Sequence, residues 1–293
     1  MNFFDMHTDI LYDVYIHSKE GGNNRFLEYH LKQLNQSLAK GGIWTLYSPN
    51  EFDLLEALKL SLENIAFSKI ENLNIILGLE SLRNLKSLEE FEKIYELGFR
   101  HAMLTWNEEN DYATGVFGDP NRGVTKKGYQ ILDFMIEKDM IIDLSHLNEK
   151  SFYDVINYTN KNIIVSHSNI RSLCDHPRNL DLKQLKALKE IDALLGLTLA
   201  GAFIHKEMEN RTIDMFMEHL KIAIDIMGID NVGFGFDFMD YFSGPNKNTE
   251  EIPNVKHLNV LLDKMRGIGL SEEEIKKITY TNFYNRYKHH IIK

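Results

Sequence analysis

Cysteine is almost missing from this chain. One cysteine, Cys174, in 293 residues excludes an intramolecular disulfide and fits a reducing compartment. Its thiol reads as a small buried apolar group, because thiol chemistry needs a base partner that the sequence does not place beside it. Proline is also scarce, at five residues, and no linker rich in Pro, Gly or Ser interrupts the chain. One domain over 1–293 is therefore expected. Positive charge is in deficit: 33 Lys and Arg against 43 Asp and Glu leave a net charge of −10, with no basic cluster beyond scattered Lys-Lys pairs. That balance excludes nucleic acid and an anionic membrane surface as partners. No apolar stretch approaches the length of a membrane span, Met1–His7 lacks the form of a signal peptide, and Tyr287–Lys293 carries no hydrophobic anchor tail. The expectation is a soluble cytoplasmic protein.

What is present is an apolar content of 43%, enough for a large core at a length common among α/β barrels. Eight short apolar or β-branched runs recur: Phe3–Met6, Gly42–Tyr47, Leu73–Leu77, His101–Thr105, Met140–Leu144, Ile163–Val165, Leu194–Leu199 and Val232–Phe236. Amphipathic stretches separate them, at Phe52–Lys69, Ser87–Leu97, Thr125–Lys138, Asn148–Thr159, Asp181–Glu190 and Thr212–Met227, and Ser271–Tyr287 closes the series. Ser87 and Ser271 each begin a Ser-x-x-Glu capping box. Strands alternating with helices make a parallel sheet, and eight units predict closure into a (β/α)₈ TIM barrel of the metallo-dependent hydrolase type. The glycine-containing pieces Gly21–Asn24 and Phe242–Asn246 read as loops after the first and eighth strands.

Polar residues stand just past five of these runs: His7 with Asp9, Glu80, His146, His167 and Asp237. Neutral imidazoles and ionised carboxylates are the donors that zinc and its first-row neighbours prefer. A barrel brings the C-terminal ends of its strands to one mouth. His7 and Asp9, at i and i+2 of an extended strand, share a face. Glu80 has two oxygens with which to bridge two cations. His146 and His167 follow strongly β-branched strands and are flanked by hydroxyls, with Asp143 either an orienting partner of His146 or a strand-end polar group. Asp237 ends the eighth run beside Gly233 and Gly235, which permit close approach of the backbone to a ligand. Singly, each station also fits a capping acid, a strand-end polar group or a satisfied core histidine. Jointly they point to a two-metal hydrolase.

These residues resemble the membrane dipeptidase (renal dipeptidase, peptidase M19) family of amidohydrolase-like barrels. The likeness rests on Asp5-Met6-His7-Thr8-Asp9, Gly41-Gly42, Gly78-Leu79-Glu80, Leu104-Thr105-Trp106-Asn107, Arg122-Gly123-Val124-Thr125, Asp143-Leu144-Ser145-His146, Ser166-His167-Ser168, Pro177-Arg178-Asn179-Leu180, Gly233-Phe234-Gly235-Phe236-Asp237-Phe238 and Asn282-Phe283. The resemblance implies two divalent metal ions, zinc being expected, with His7 and Asp9 on one, His146 and His167 on the other, and Glu80 bridging. It implies hydrolysis of dipeptides by a metal-bridging hydroxide, with Asp237 and Glu80 in the catalytic machinery and Asp237 handling the proton. Arg178 is implied to receive the substrate carboxylate, where its residues alone suggest a surface salt bridge.

This chain departs from the animal-type pattern at Trp106, where a histidine touches the substrate carbonyl region, at Met239-Asp240 and at Ser81. Trp106 is therefore placed in the substrate pocket as an apolar wall. Alternatives are a hydrolase of another small amide, lactam or ester on the same metals, a phosphoester hydrolase, and a non-catalytic metal-binding homologue. A homodimer is left open. His17, His30, His101, His176, His205, His219, His257, His289 and His290 read as surface or packing residues, with His176 of interest beside Arg178.

Overall fold

The computed structural model describes residues 1–22, 24–242 and 247–292. Eight strands form a closed parallel barrel in sequential order: β1 (Phe3–Thr8), β2 (Ala39–Tyr47), β3 (Asn74–Glu80), β4 (Phe99–Met103), β5 (Ile141–Asp143), β6 (Ile163–Ser168), β7 (Leu194–Leu197) and β8 (Val232–Phe234). Asp5 opposite Phe234 joins β1 to β8 and closes the ring. Each strand is followed by a principal helix: α1 (Ile10–Lys19), α2 (Leu54–Asn64), α3 (Leu88–Glu96), α4 (Lys126–Glu137), α5 (Glu149–Tyr158), α6 (Leu182–Glu190), α7 (Ile213–Met227) and α8 (Leu258–Gly267). The Ser87 and Ser271 hydroxyls accept from Glu90 N and Glu274 N, as the capping boxes predict. Asp53 settles where α2 begins by accepting from Glu56 N.

The periodicity missed α1 and α8. α1 starts directly off β1, so Gly21 follows a helix and not the first strand. Asn23 and residues 243–246 of the two expected loops lie outside the described residues. The Ser271–Tyr287 stretch is helical but passes through a π-helical segment at Lys277–Thr281.

Two apolar layers result. Phe4, Met6, Ile43, Ile76, Ile141, Ile164 and Leu194 pack together with Phe283 and Tyr287, so the last helix plugs the end of the barrel away from the strand C-termini. A larger cluster fills the space between strands and outer helices. Closure near the mouth depends on Gly196 and Gly235, where an added Cβ would lie 1.9 and 2.0 Å from the Ser166 carbonyl oxygen. Gly235 thus admits the Ser166 carbonyl of β6, two strands away in the barrel, not the ligand that its place in the sequence suggested. Among the described residues no helix is long and apolar enough to cross a membrane.

Candidate active site

Five side chains from four strands meet at the C-terminal mouth. His7 Nε2 lies 3.5 Å from Glu80 Oε2 and 3.7 Å from Asp9 Oδ2. His146 Nε2 is 2.9 Å from Glu80 Oε1 and 2.9 Å from His167 Nε2, while His167 Nε2 is 3.9 Å from Glu80 Oε1. The two oxygens of Glu80 therefore face two separate histidine groups. Asp237 joins the first group, with donor atoms of His7, Asp9 and Asp237 all within 4.8 Å of one another.

The local backbone explains how they converge. Asp9 is the residue before α1, at φ −84° and ψ 35°, and the β1–β2 register shifts between Asp5 and Thr8. His7 and Asp9 thus meet across a strand-to-helix turn instead of along one extended face. His146 and Asp237 have φ of 71° and 53°, and Ser81 beside Glu80 has 77°. Left-handed backbone costs energy for residues other than glycine, and it turns these side chains back into the mouth.

Partners on the far side fix each group. Asn107 Oδ1 lies 2.8 Å from His146 Nδ1, and Ser166 Oγ lies 2.8 Å from His167 Nδ1, leaving both Nε2 atoms directed at Glu80. Thr45 Oγ1 donates to Asp9 Oδ1 at 2.7 Å, and Tyr241 accepts from Asp9 N at 3.0 Å. Asp143 does not orient His146. It pairs with His101 Nε2 at 2.9 Å and accepts from Ser145 N and Ser166 N, tying β5 to β6 under the two metal-type histidines. Asp5 accepts from His7 N and Phe236 N in the same manner between β1 and β8.

The electrostatics of this donor set fit divalent cations. Both ring nitrogens of His7 are buried without a hydrogen-bond partner, an expensive state for polar atoms unless they are ligated. Burial, followed by repulsion from Asp9, pushes Glu80 up to about 8, and burial also raises Asp237. His7 is lowered by burial, but Glu80 and Asp9 outweigh that and hold it well above its ordinary value. Burial and nearby positive charge hold His146 and His167 well below theirs, as neutral donors. Carboxylates packed this closely need positive charge between them.

Comparison with known proteins gives the family. Residues 67–288 match the model of the membrane dipeptidase family, peptidase family M19. The chain belongs to this family. Dipeptidase verJ of Clonostachys rogersoniana is 26% identical over 323 aligned positions, covering 95% of this chain and 81% of that protein. An uncharacterised dipeptidase of Schizosaccharomyces pombe is 29% identical over 229, covering 76% of this chain and 54% of its relative. The chain thus spans about half the length of several of the curated relatives it matches. A metallo peptidase of Rhodobacter sphaeroides, solved with a phosphinate mimic of the dipeptide L-Ala-D-Ala, superposes with a TM-score of 0.86 at 22% identity, over 100% of this chain and 99% of that one. At that identity the likeness establishes the barrel.

Arg178 is not a surface residue: it is 3% exposed, its Nη2 donates to His167 O at 3.3 Å, and its Nε has no partner. Burial pushes its guanidinium down to about 10. His176 accepts from Arg178 N through Nδ1 and packs its ring on Phe203, 4.6 Å between centroids. Trp106 stands 6.1 Å from the His146 ring and 5.2 Å edge-on from Tyr47, which in turn meets Tyr12 at 5.2 Å. Cys174 is buried, with its thiol pushed up by burial and directed at Ala202 O. Sequence reasoning missed Asn107, Thr45 and Tyr241 as positioning groups. Asn107, next to Trp106, and Thr45, within the run Gly42–Tyr47, lay in segments already singled out, whereas Tyr241 did not.

Proposed function

We propose that this chain is a binuclear metal-dependent dipeptidase, with His7 and Asp9 on one ion, His146 and His167 on the other, and Glu80 shared. The observation that carries this reading is the split of Glu80, whose Oε2 faces His7 and whose Oε1 faces His146 and His167. Divalent ions, zinc being the expected metal, supply a Lewis acid for the scissile carbonyl and an acidified water at neutral pH. The chain's own residues do the rest. Arg178, buried at the mouth with an unsatisfied Nε, receives the C-terminal carboxylate of the substrate through a planar fork that matches two oxygens. Asp237, raised by burial, takes the proton of the attacking water and returns it to the leaving nitrogen. Trp106 and Tyr47 form an apolar wall over the N-terminal residue of the dipeptide. The family resemblance supports these roles.

One observation favours a second reading. The indole of Trp106 cannot act as a base and has one donor, in the place of the imidazole found in animal-type members, so a small lactam, ester or other amide fits the same machinery. The test is a panel of L,L and L,D dipeptides, each as free acid and C-terminal amide, assayed with zinc-loaded protein. Cleavage of free acids well above their amides is expected. Failure on every dipeptide with turnover of a lactam or ester would overturn the dipeptidase reading. We further propose that the protein acts in the cytoplasm.

A further inference from the structure

At the end of the barrel opposite the mouth, Asp139, His289 and His290 bring a carboxylate oxygen and one ring nitrogen from each imidazole within 4.8 Å of one another. Asp139 sits just before β5, so β5 and its approach separate this cluster from His146. Its backbone is held at φ 59°. Its Oδ1 is occupied by Asn162 Nδ2 at 3.0 Å and Lys161 Nζ at 3.1 Å. That leaves Oδ2 directed at the histidine pair, 3.1 Å from His289 Nε2. The two imidazole centroids are 3.9 Å apart. His290 is 6% exposed, and its Nε2 is buried with no hydrogen-bond partner. Neither an exposed His–Asp pair nor simple packing accounts for a buried, unpartnered ring nitrogen on an imidazole that is grouped with a carboxylate and a second imidazole.

We propose that Asp139, His289 and His290 form a further divalent-cation site, separate from the mouth and independent of the chemistry assigned to it. Two imidazoles and one carboxylate make a three-ligand set suited to zinc or its first-row neighbours, with water completing the coordination. The bound ion links the turn after α4 to the segment 288–292. That segment already reaches the barrel floor through Ile292 N, which donates to Ile75 O at 2.9 Å. The ion is a staple at the barrel base, where bound groups act on stability and not on turnover.

The test counts zinc ions per chain by equilibrium dialysis at matched free zinc in the full protein, His289→Ala and Glu80→Gln. The His289 side chain is 52% exposed, so its removal leaves the fold intact, which circular dichroism checks. Parent protein is expected to bind one ion more than His289→Ala, and Glu80→Gln is expected to keep that ion while losing those of the mouth. Lys161→Ala, which removes the cation already on Asp139 Oδ1, should tighten binding at this site, and an ion-pair role alone gives no such change. Equal zinc counts in the parent and His289→Ala would overturn the proposal.

Discussion

At the scale of single residues, groups that hold metal and groups that act on substrate respond differently to substitution. Asp237→Asn keeps the side-chain shape but cannot accept and return a proton at neutral pH, so kcat should fall by at least about a hundredfold while mouth metal stays bound. Glu80→Gln should lose metal and activity together, because one anionic oxygen must face each histidine group. Metal analysis beside steady-state kinetics distinguishes the two. If Asp237→Asn turns over normally, the proton carrier lies elsewhere, and His176 beside Arg178 is next in line. Arg178→Lys keeps the charge but loses the fork, so KM for dipeptides should rise far more than kcat falls. Equal cleavage of an amidated dipeptide by the parent enzyme would remove that role. Trp106→His should raise dipeptide turnover if the absent imidazole limits it, and no gain with metals retained would mean the substrate class has changed.

Among the elements, the loop-facing ends of the strands carry the site, and here the sequence was only partly legible. The eight apolar runs and most helices could be read from their periods, because burial on both faces of a parallel strand and amphipathic burial of a helix write themselves into residue order. α1 was hidden because Asp9 belongs to the site and directly precedes a helix whose apolar face is broken by Asp13, a buried acid paired with Arg25 and His30. The convergence of His7, Asp9, Glu80, His146 and His167 was foreseeable from donor type and position. Their aim was not, since it rests on left-handed backbone at Ser81, His146 and Asp237. The glycines were misread for a related reason: Gly235 looks like a ligand contact in sequence, yet its missing Cβ makes room for Ser166 O. Gly235→Ala should therefore cost more than about 3 kcal/mol, measured by urea unfolding, and an unchanged midpoint would mean that the Ser166 carbonyl can move away from position 235 without penalty.

For the molecule as a whole, the buried histidines set an acid limit on stability. His219 on α7 accepts from Ile170 N and donates to Ile204 O, joining two mouth loops, and burial holds it down to about 4. The unfolded chain takes up its proton near pH 6.5 and the folded chain near pH 4, so the contribution is whole above the first value and is lost as pH falls toward the second. His219 alone should contribute a slope of about 1.4 kcal/mol per pH unit across that window. His219→Gln should flatten the stability profile there by this amount, and parallel profiles would contradict the assignment. The central claim concerns the mouth, where family membership and the two faces of Glu80 meet. Its most direct test is titration of metal-free His289→Ala protein with zinc while dipeptide hydrolysis is followed. The account predicts activity that climbs to a plateau at two zinc ions per chain and vanishes on chelation. Full activity at one ion, or no dipeptide turnover with two ions bound, would contradict it.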